Sequence, residues 1–284
     1  MKTNNKFVFL LPLIAAIVML AAGCNKLDRP ALGDYPKDAN PAFPLYPGGP
    51  LKFYAAFNGS SNPSMNAVDS VRANFPSDNP LLSVDGVNGK GIKGDGVKAI
   101  KYPSANDFKG STSVTISMWV NNTVNPNTEL YFSLVDKDYW HGSSAFLLVE
   151  NATPDSCTFK FSLMDHWVEF TNKSFKRPLF NGQWHHLAFS YDESSSHLTI
   201  YFDGQPVPTP GTQADYKNST GGALGKLNLQ NASNLVIGGW NKHAGLEGPN
   251  DSWISGFTGK MDQFRLYGKA LSASEIQALY NSKL

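Results

Sequence analysis

Residues 181–207 read "NGQWHHLAFSYDESSSHLTIYFDGQPV". Adjacent histidines, a tryptophan, acids and four serines crowd this run. The first question is whether they form a reactive cluster or a sheet. Successive residues of a strand face opposite sides. On that pattern His185 points with Leu187, Phe189 and Tyr191, and His186 points with Trp184, Ala188 and Ser190. The two imidazoles therefore cannot share a metal or a substrate. Asp203-Gly204, between "LTIYF" and "QPV", is a two-residue hairpin signal, because both turn positions need positive φ. The acids and serines at 192–196 fall in the turn before the next strand. The stretch is structural sheet.

The same period extends outward. Val114, Ile116, Met118 and Val120 alternate with Thr115 and Ser117. Further strands are predicted over 51–57, 130–135, 145–150, 157–163, 198–202, 235–237 and 261–267. Long loops rich in Gly, Asn, Ser and Pro occupy about 206–233 and 238–256. Only the end reads as helix: Ser272 and Glu275 make a capping box, and Ile276, Leu279 and Tyr280 form one apolar stripe. Many strands and one terminal helix predict an all-β, two-sheet antiparallel sandwich. The chain of 284 residues, 41% hydrophobic, suffices for one large core.

The N-terminus lies outside that core. Lys2 and Lys6 precede an apolar run over residues 7–22, and Gly23-Cys24 follows. This order reads as an export signal over residues 1–23. Residues 24–50 carry six prolines and read as a tether, reaching at most roughly 80 Å in polyproline geometry. The domain spans 51–284. Loss of Lys2 and Lys6 would leave 22 basic and 23 acidic residues, a charge of −1. Such a chain has no general pull on nucleic acid. Cys24 and Cys157 are its two cysteines, and Cys157, in "DSCTFKFSL", is expected as a small buried hydrophobe rather than half of a disulfide framework.

"LAAGC" resembles the lipobox of bacterial lipoproteins, which implies lipidation of Cys24 and a membrane contact through that anchor alone. "GQWHHLAFSYD…LTIYFDGQPV" resembles the central signature of laminin-G-like, concanavalin A-like jelly-roll domains. "FYAAFNG", "SVTISMWVN" and "FTGKMDQFRLYGKALSASEIQALY" resemble that family's opening strand, tryptophan strand and closing strand with helix. The layout is similar to surface lipoproteins of glycan-degrading Bacteroidetes-type bacteria. It implies display on the outer membrane or cell surface, beside neighbouring glycan-uptake proteins.

The family holds lectins, hydrolases and adhesion modules alike. Its hydrolases carry Glu-x-Asp-x-Glu on one strand, and no glutamate here is spaced that way. Asp136 and Asp138 share a strand face but read as solvated. Gly89-Lys90-Gly91-Ile92-Lys93-Gly94 matches G-x-G-x-x-G, yet strand rather than helix follows, so no phosphate cradle is expected. Of six tryptophans, Trp119 and Trp184 belong to core strands. Trp140, Trp167 and Trp240 lie beside groups able to bond hydroxyls: His141, Asp165, His166, Asn241 and His243. Aromatic faces with such neighbours suit sugars. Two roles stay open for Trp140 and Trp240, sugar platform or closure of the sandwich ends; closure is the expectation for Trp253. No ligand spacing among His141, His166 and His243 supports zinc.

Asp262 in "KMDQFRLY" falls by parity with Phe264 and Leu266, an apolar face on which a carboxylate needs a partner. The resemblance implies a structural Ca²⁺ held by Asp262 and the region of Asn58 and Gly59; the alternative is that Asp262 caps nearby amides. The reading is a non-catalytic, lipid-anchored module that binds poly- or oligosaccharide through Trp140, His141, Trp167, Trp240, Asn241 and His243. The alternatives are a protein-binding adhesion module and a glycan hydrolase with unfamiliar residues.

Overall fold

β10 (Asn181–Asp192) and β11 (His197–Phe202) pair antiparallel with Leu187 opposite Phe202. Asp203 and Gly204 both take positive φ, 51° and 78°, in the turn to β12 (Gln205–Val207). The hairpin thus forms as its Asp-Gly pair requires. The computed structural model describes residues 50–57, 80–102, 104–135, 142–246 and 250–283.

The remaining strands are β1 (Leu51–Ala55), β2 (Leu82–Asp85), β3 (Lys90–Lys93), β4 (Ile100–Tyr102), β5 (Val114–Thr123), β6 (Thr128–Leu134), β7 (Ala145–Thr153), β8 (Ser156–Leu163), β9 (His166–Phe175), β13 (Leu235–Ile237), β14 (Ile254–Gly256) and β15 (Lys260–Tyr267). One sheet runs β12-β11-β10-β5-β15-β3-β2, with β1 also on β15. The other runs β4-β13-β6-β7-β8-β9, and β14 joins β6 in parallel. The remaining pairings are antiparallel, and the result is a jelly-roll sandwich. Between the sheets, side chains of alternate residues interdigitate. Phe161 of β8 stacks on Phe189 of β10 with centroids 4.0 Å apart. Cys157 is buried in the same core, and burial pushes its thiol up to about 12.

The outer face of the first sheet is closed by α1 (Ala273–Ser282). Its capping box forms: the Ser272 side chain accepts from the Glu275 N–H, and the Ser272 N–H donates to Glu275 Oε2 at 2.7 Å. Ile276 and Leu279 pack with Leu51, Tyr54, Tyr201 and Tyr267. Trp119 lies under Tyr280, with centroids 5.5 Å apart, and beside His186 at 5.2 Å. His185 faces the other way and its Nδ1 lies 2.8 Å from Asp203 Oδ2. The two histidines therefore diverge. Burial, with the Arg265 charge second, pushes His186 down to about 3, so it is a neutral packing ring.

One expectation is corrected. Asp262 does not share a face with Phe264 and Leu266. Met261 pairs with Val120 and Asp262 with Trp119, but the register then shifts before Arg265 meets Ser117. A bulge at Gln263, whose φ is 50°, inserts the extra residue and resets the parity. In addition, a strand that was not predicted runs over His166–Phe175. Met164 and Asp165, at φ 50° and 61°, make the turn from β8 into β9, and Trp167 stands on β9.

Candidate functional site

The exposed part of the second sheet's outer face is built from β7, β8 and β9. Register places Phe146, Ser162 and Trp167 in one row across it, and Leu148, Lys160 and Glu169 in the next. Directly opposed side chains in such rows lie about 5 Å apart. Trp167 is half-buried. Its ring meets the Phe146 ring nearly at right angles, centroids 5.0 Å apart, and its Nε1–H donates to Asp165 Oδ1 at 3.1 Å. Both contacts fix the ring while leaving part of it open to solvent.

Lys160 occupies the next row. Its Nζ lies 2.8 Å from Glu150 Oε2 and 3.9 Å from Glu169 Oε1. Lys160, Glu150 and Glu169 side chains are 24%, 16% and 35% exposed, so the triad is partly desolvated rather than a free surface pair. The loop after β12 forms a wall beside it. The Glu169 N–H donates to Gln213 Oε1 at 2.7 Å. His166 Nε2 lies 2.8 Å from the Lys217 carbonyl, Nδ1 lies 2.9 Å from that of Met164, and the ring stacks on Tyr216. An aromatic ring, an ammonium and three carboxylates with defined positions can stack a sugar and bond its hydroxyls.

Sequence reasoning found Trp167 and Asp165 and missed Lys160, Glu150 and Glu169. The missing signal was the β8–β9 turn. Once Met164-Asp165 is read as a turn, alternation alone places Lys160 opposite Glu169.

Three expected site residues lie elsewhere. Trp240 is fully buried, packed with Leu130, Phe146, Leu148 and Ile254. It offers no ring face to a ligand and is corrected to a packing residue. Asn241 and His243 are also buried, 1% and 7% exposed, in the short helical turn that follows it. The Trp240 N–H donates to His243 Nδ1 at 3.4 Å, and burial pushes His243 down to about 4. These residues close the far side of the sheet face. Trp253 behaves in the opposite way: it was expected to close the sandwich and is 55% exposed, just before β14. Trp140, His141, Asp136, Asp138, Asn58, Gly59 and Cys24 lie outside the described residues. Of the three histidines weighed for zinc, His166 and His243 occupy separate environments. Among the described residues no group of three His, Cys, Asp or Glu converges on a metal position.

The most perturbed acids are away from this face. Glu129 is buried at the start of β6, accepts a hydrogen bond from the Thr258 hydroxyl, and is pushed up to about 7 chiefly by burial. Asp262 is buried beside the β2–β3 turn. Its Oδ2 accepts from the N–H groups of Val87 at 2.9 Å and Asn88 at 3.3 Å. Burial raises it to about 6, and the amides of Asn88, Val87 and Gln263 hold it from rising further. A Ca²⁺ would have to use Oδ1, which is buried and accepts no hydrogen bond, with at least five more oxygens.

The sequence matches the family described as the concanavalin A-like lectin/glucanases superfamily over residues 94–277. No curated protein sequence matches it. Among solved structures the chain is similar to the binding domain of Paraclostridial Mosquitocidal Protein 1, with a TM-score of 0.53 and 16% identity over 82% of this chain and 52% of that one. It is similar also to the binding domain of Botulinum Neurotoxin serotype G, with a TM-score of 0.53 and 13% identity over 81% of this chain and 50% of that one. Domain 4 of AbnA, a GH43 extracellular arabinanase from Geobacillus stearothermophilus, in complex with arabinotriose, aligns with a TM-score of 0.44 and 18% identity over 71% of this chain and 82% of that one. The chain thus spans about half the length of the two toxin structures. At such identities the likeness to the two toxin structures is one of fold.

Proposed function

Since the chain belongs to the concanavalin A-like lectin/glucanase superfamily, we propose that it is a non-catalytic module that captures carbohydrate and is held at a membrane by a lipid on Cys24. The observation that carries the binding reading is the Trp167 ring, fixed by Phe146 and Asp165 beside the Lys160–Glu150–Glu169 triad. An aromatic face stacks on the C–H side of a sugar, and the triad supplies charge-assisted partners for its hydroxyls. Trp167→Ala is expected to weaken binding by about tenfold, the upper range of a lost stacking contact. Titration of wild type and variant with soluble polysaccharides measures this. Equal affinities would remove Trp167 from the site. Loss on Trp253→Ala alone would move the glycan contact to that exposed ring.

The triad also argues against chemistry at this face. A glycosidase places the scissile oxygen between its two carboxyl groups. Here the Lys160 ammonium lies between Glu150 and Glu169. The lipid anchor follows from the lipobox-like "LAAGC" run. Among the described residues no helix is long and apolar enough to cross a membrane. Cys24→Ala should abolish incorporation of labelled fatty acid and leave the protein soluble or with its export signal uncleaved; a wild type that takes up no label would end the anchor reading.

For Asp262 the two amide donors on Oδ2 support a capping role over the Ca²⁺ site. Melting temperatures should coincide in chelator and in excess Ca²⁺. A group with a raised carboxyl pKa stabilises the fold most below its unfolded value, near 4, and loses that contribution as pH rises through about 6. Asp262→Asn, which keeps an acceptor for the amides, should therefore flatten the decline in stability between pH 4 and 6. A Ca²⁺-dependent rise in melting temperature, abolished by Asp262→Asn, would restore the metal.

A further inference from the structure

We infer that the face around Trp167 selects uncharged glycans and excludes acidic ones. The inference rests on the proposed glycan site and names its ligand class. Lys160 is the cation of this cluster, and its ammonium is engaged by Glu150 and Glu169. Asp165 stands on the other side of Trp167, bonded to its Nε1–H. One ammonium among three carboxylates leaves the cluster net negative.

A uronate or sulfate brought onto the Trp167 ring would lie within about 10 Å of those carboxylates, no more than a Debye length at ordinary salt. To bind it, Lys160 would have to turn from Glu150, whose side chain is 16% exposed. That carboxylate would then be left largely desolvated without its counter-ion, a costly state. Lys173, four residues beyond Glu169 on β9, and Lys217, in the wall loop, are both exposed to solvent. Charges so placed contribute little to binding an anion.

Uncharged sugars meet no such conflict. Ionised carboxylates only accept hydrogen bonds, so the ligand must bring donors. Sugar hydroxyls do so and can also accept from Lys160 without displacing either glutamate. Asp165 and Glu169, the more exposed of the acids, are the acceptors within reach of a ring stacked on Trp167.

The test uses the immobilised full chain and two sets of polysaccharides. Xylan, β-glucan, galactomannan and arabinan are the neutral set; polygalacturonate, alginate and heparin are the acidic set. At about 20 mM salt, at least one neutral polymer should bind at least about tenfold more tightly than every acidic one. The double variant Glu150→Gln, Glu169→Gln should narrow that ratio severalfold, and about 0.5 M salt should narrow it in wild type. Asp165→Asn, an exposed change that keeps the acceptor for Trp167, should shift the ratio the same way by less. It serves if the double variant does not fold. Acidic polymers bound by wild type as tightly as neutral ones would overturn the selectivity while leaving the glycan site in place. An unchanged ratio in a folded variant would overturn it too. Failure of every polymer in both sets would end the glycan reading itself.

Discussion

Trp240→Ala is expected to destabilise the domain by about 3–5 kcal/mol, the cost of deleting a large aromatic from a closed core. Trp240 has no exposed surface and fills the space over Leu130, Phe146, Leu148 and Ile254. Its removal strips contacts from both β6 and β7, which cannot move together because β13 and β8 hold them on either side. The lining therefore relaxes little and the cavity persists. For a domain of this size the melting temperature should fall by about 10 °C. The same cavity lies under Trp167, which packs on this cluster. Some loss of glycan affinity should accompany the loss of stability, but as a consequence of it. Thermal unfolding followed by near-ultraviolet circular dichroism gives the number. A change under about 1 kcal/mol would mean that Trp240 swings out of the core, and its sugar-platform role would return.

Gly94→Ala should cost at least as much, for a different reason. A Cβ on Gly94 would stand 2.0 Å from the Phe257 carbonyl oxygen and 2.7 Å from its carbon. Gly94 also donates its N–H to the Gly259 carbonyl at 2.9 Å, which ties the two backbones together. Backbone meets backbone here, so no side chain can rotate away, and the clash must separate β3 from the segment leading into β15. Overpacking of cores usually costs about 1–3 kcal/mol where neighbours can yield; here the expected loss exceeds about 4 kcal/mol, the range of an insoluble or unfolded product. Gly91 serves the same approach, since its Cβ would lie 2.7 Å from the Met261 carbonyl oxygen. The G-x-G-x-x-G run is thus a packing device, and added nucleotide should leave the melting curve of wild type unchanged. A Gly94→Ala protein as stable as wild type would contradict the geometry.

The legibility of the chain follows its local signals. The β10–β11 hairpin was readable because strict alternation and Asp203-Gly204 both act within a few residues. The helix was readable because Ser272 and Glu275 cap it in the sequence itself. The Asp262 face was not, since the bulge at Gln263 is set by pairing with β5 and leaves no glycine as a marker. Burial of Trp240 was hidden for a related reason. Polar neighbours such as Asn241 and His243 suggest surface, yet both fold inward in a helical turn closed by Gly245. Trp253 carries similar polar neighbours and remains exposed. Composition around a tryptophan therefore does not decide its accessibility. The Lys160–Glu150–Glu169 triad joins three strands, and only register brings it together.

The central claim is that glycan binds on the Trp167 ring. The most direct measurement follows the six tryptophan indole N–H signals by NMR while the full chain is titrated with neutral oligosaccharides. The Trp167 signal should shift in a saturable way, while those of the buried Trp119 and Trp240 stay nearly still. Absence of any shift across the neutral oligosaccharides, or a shift confined to Trp253, would contradict it.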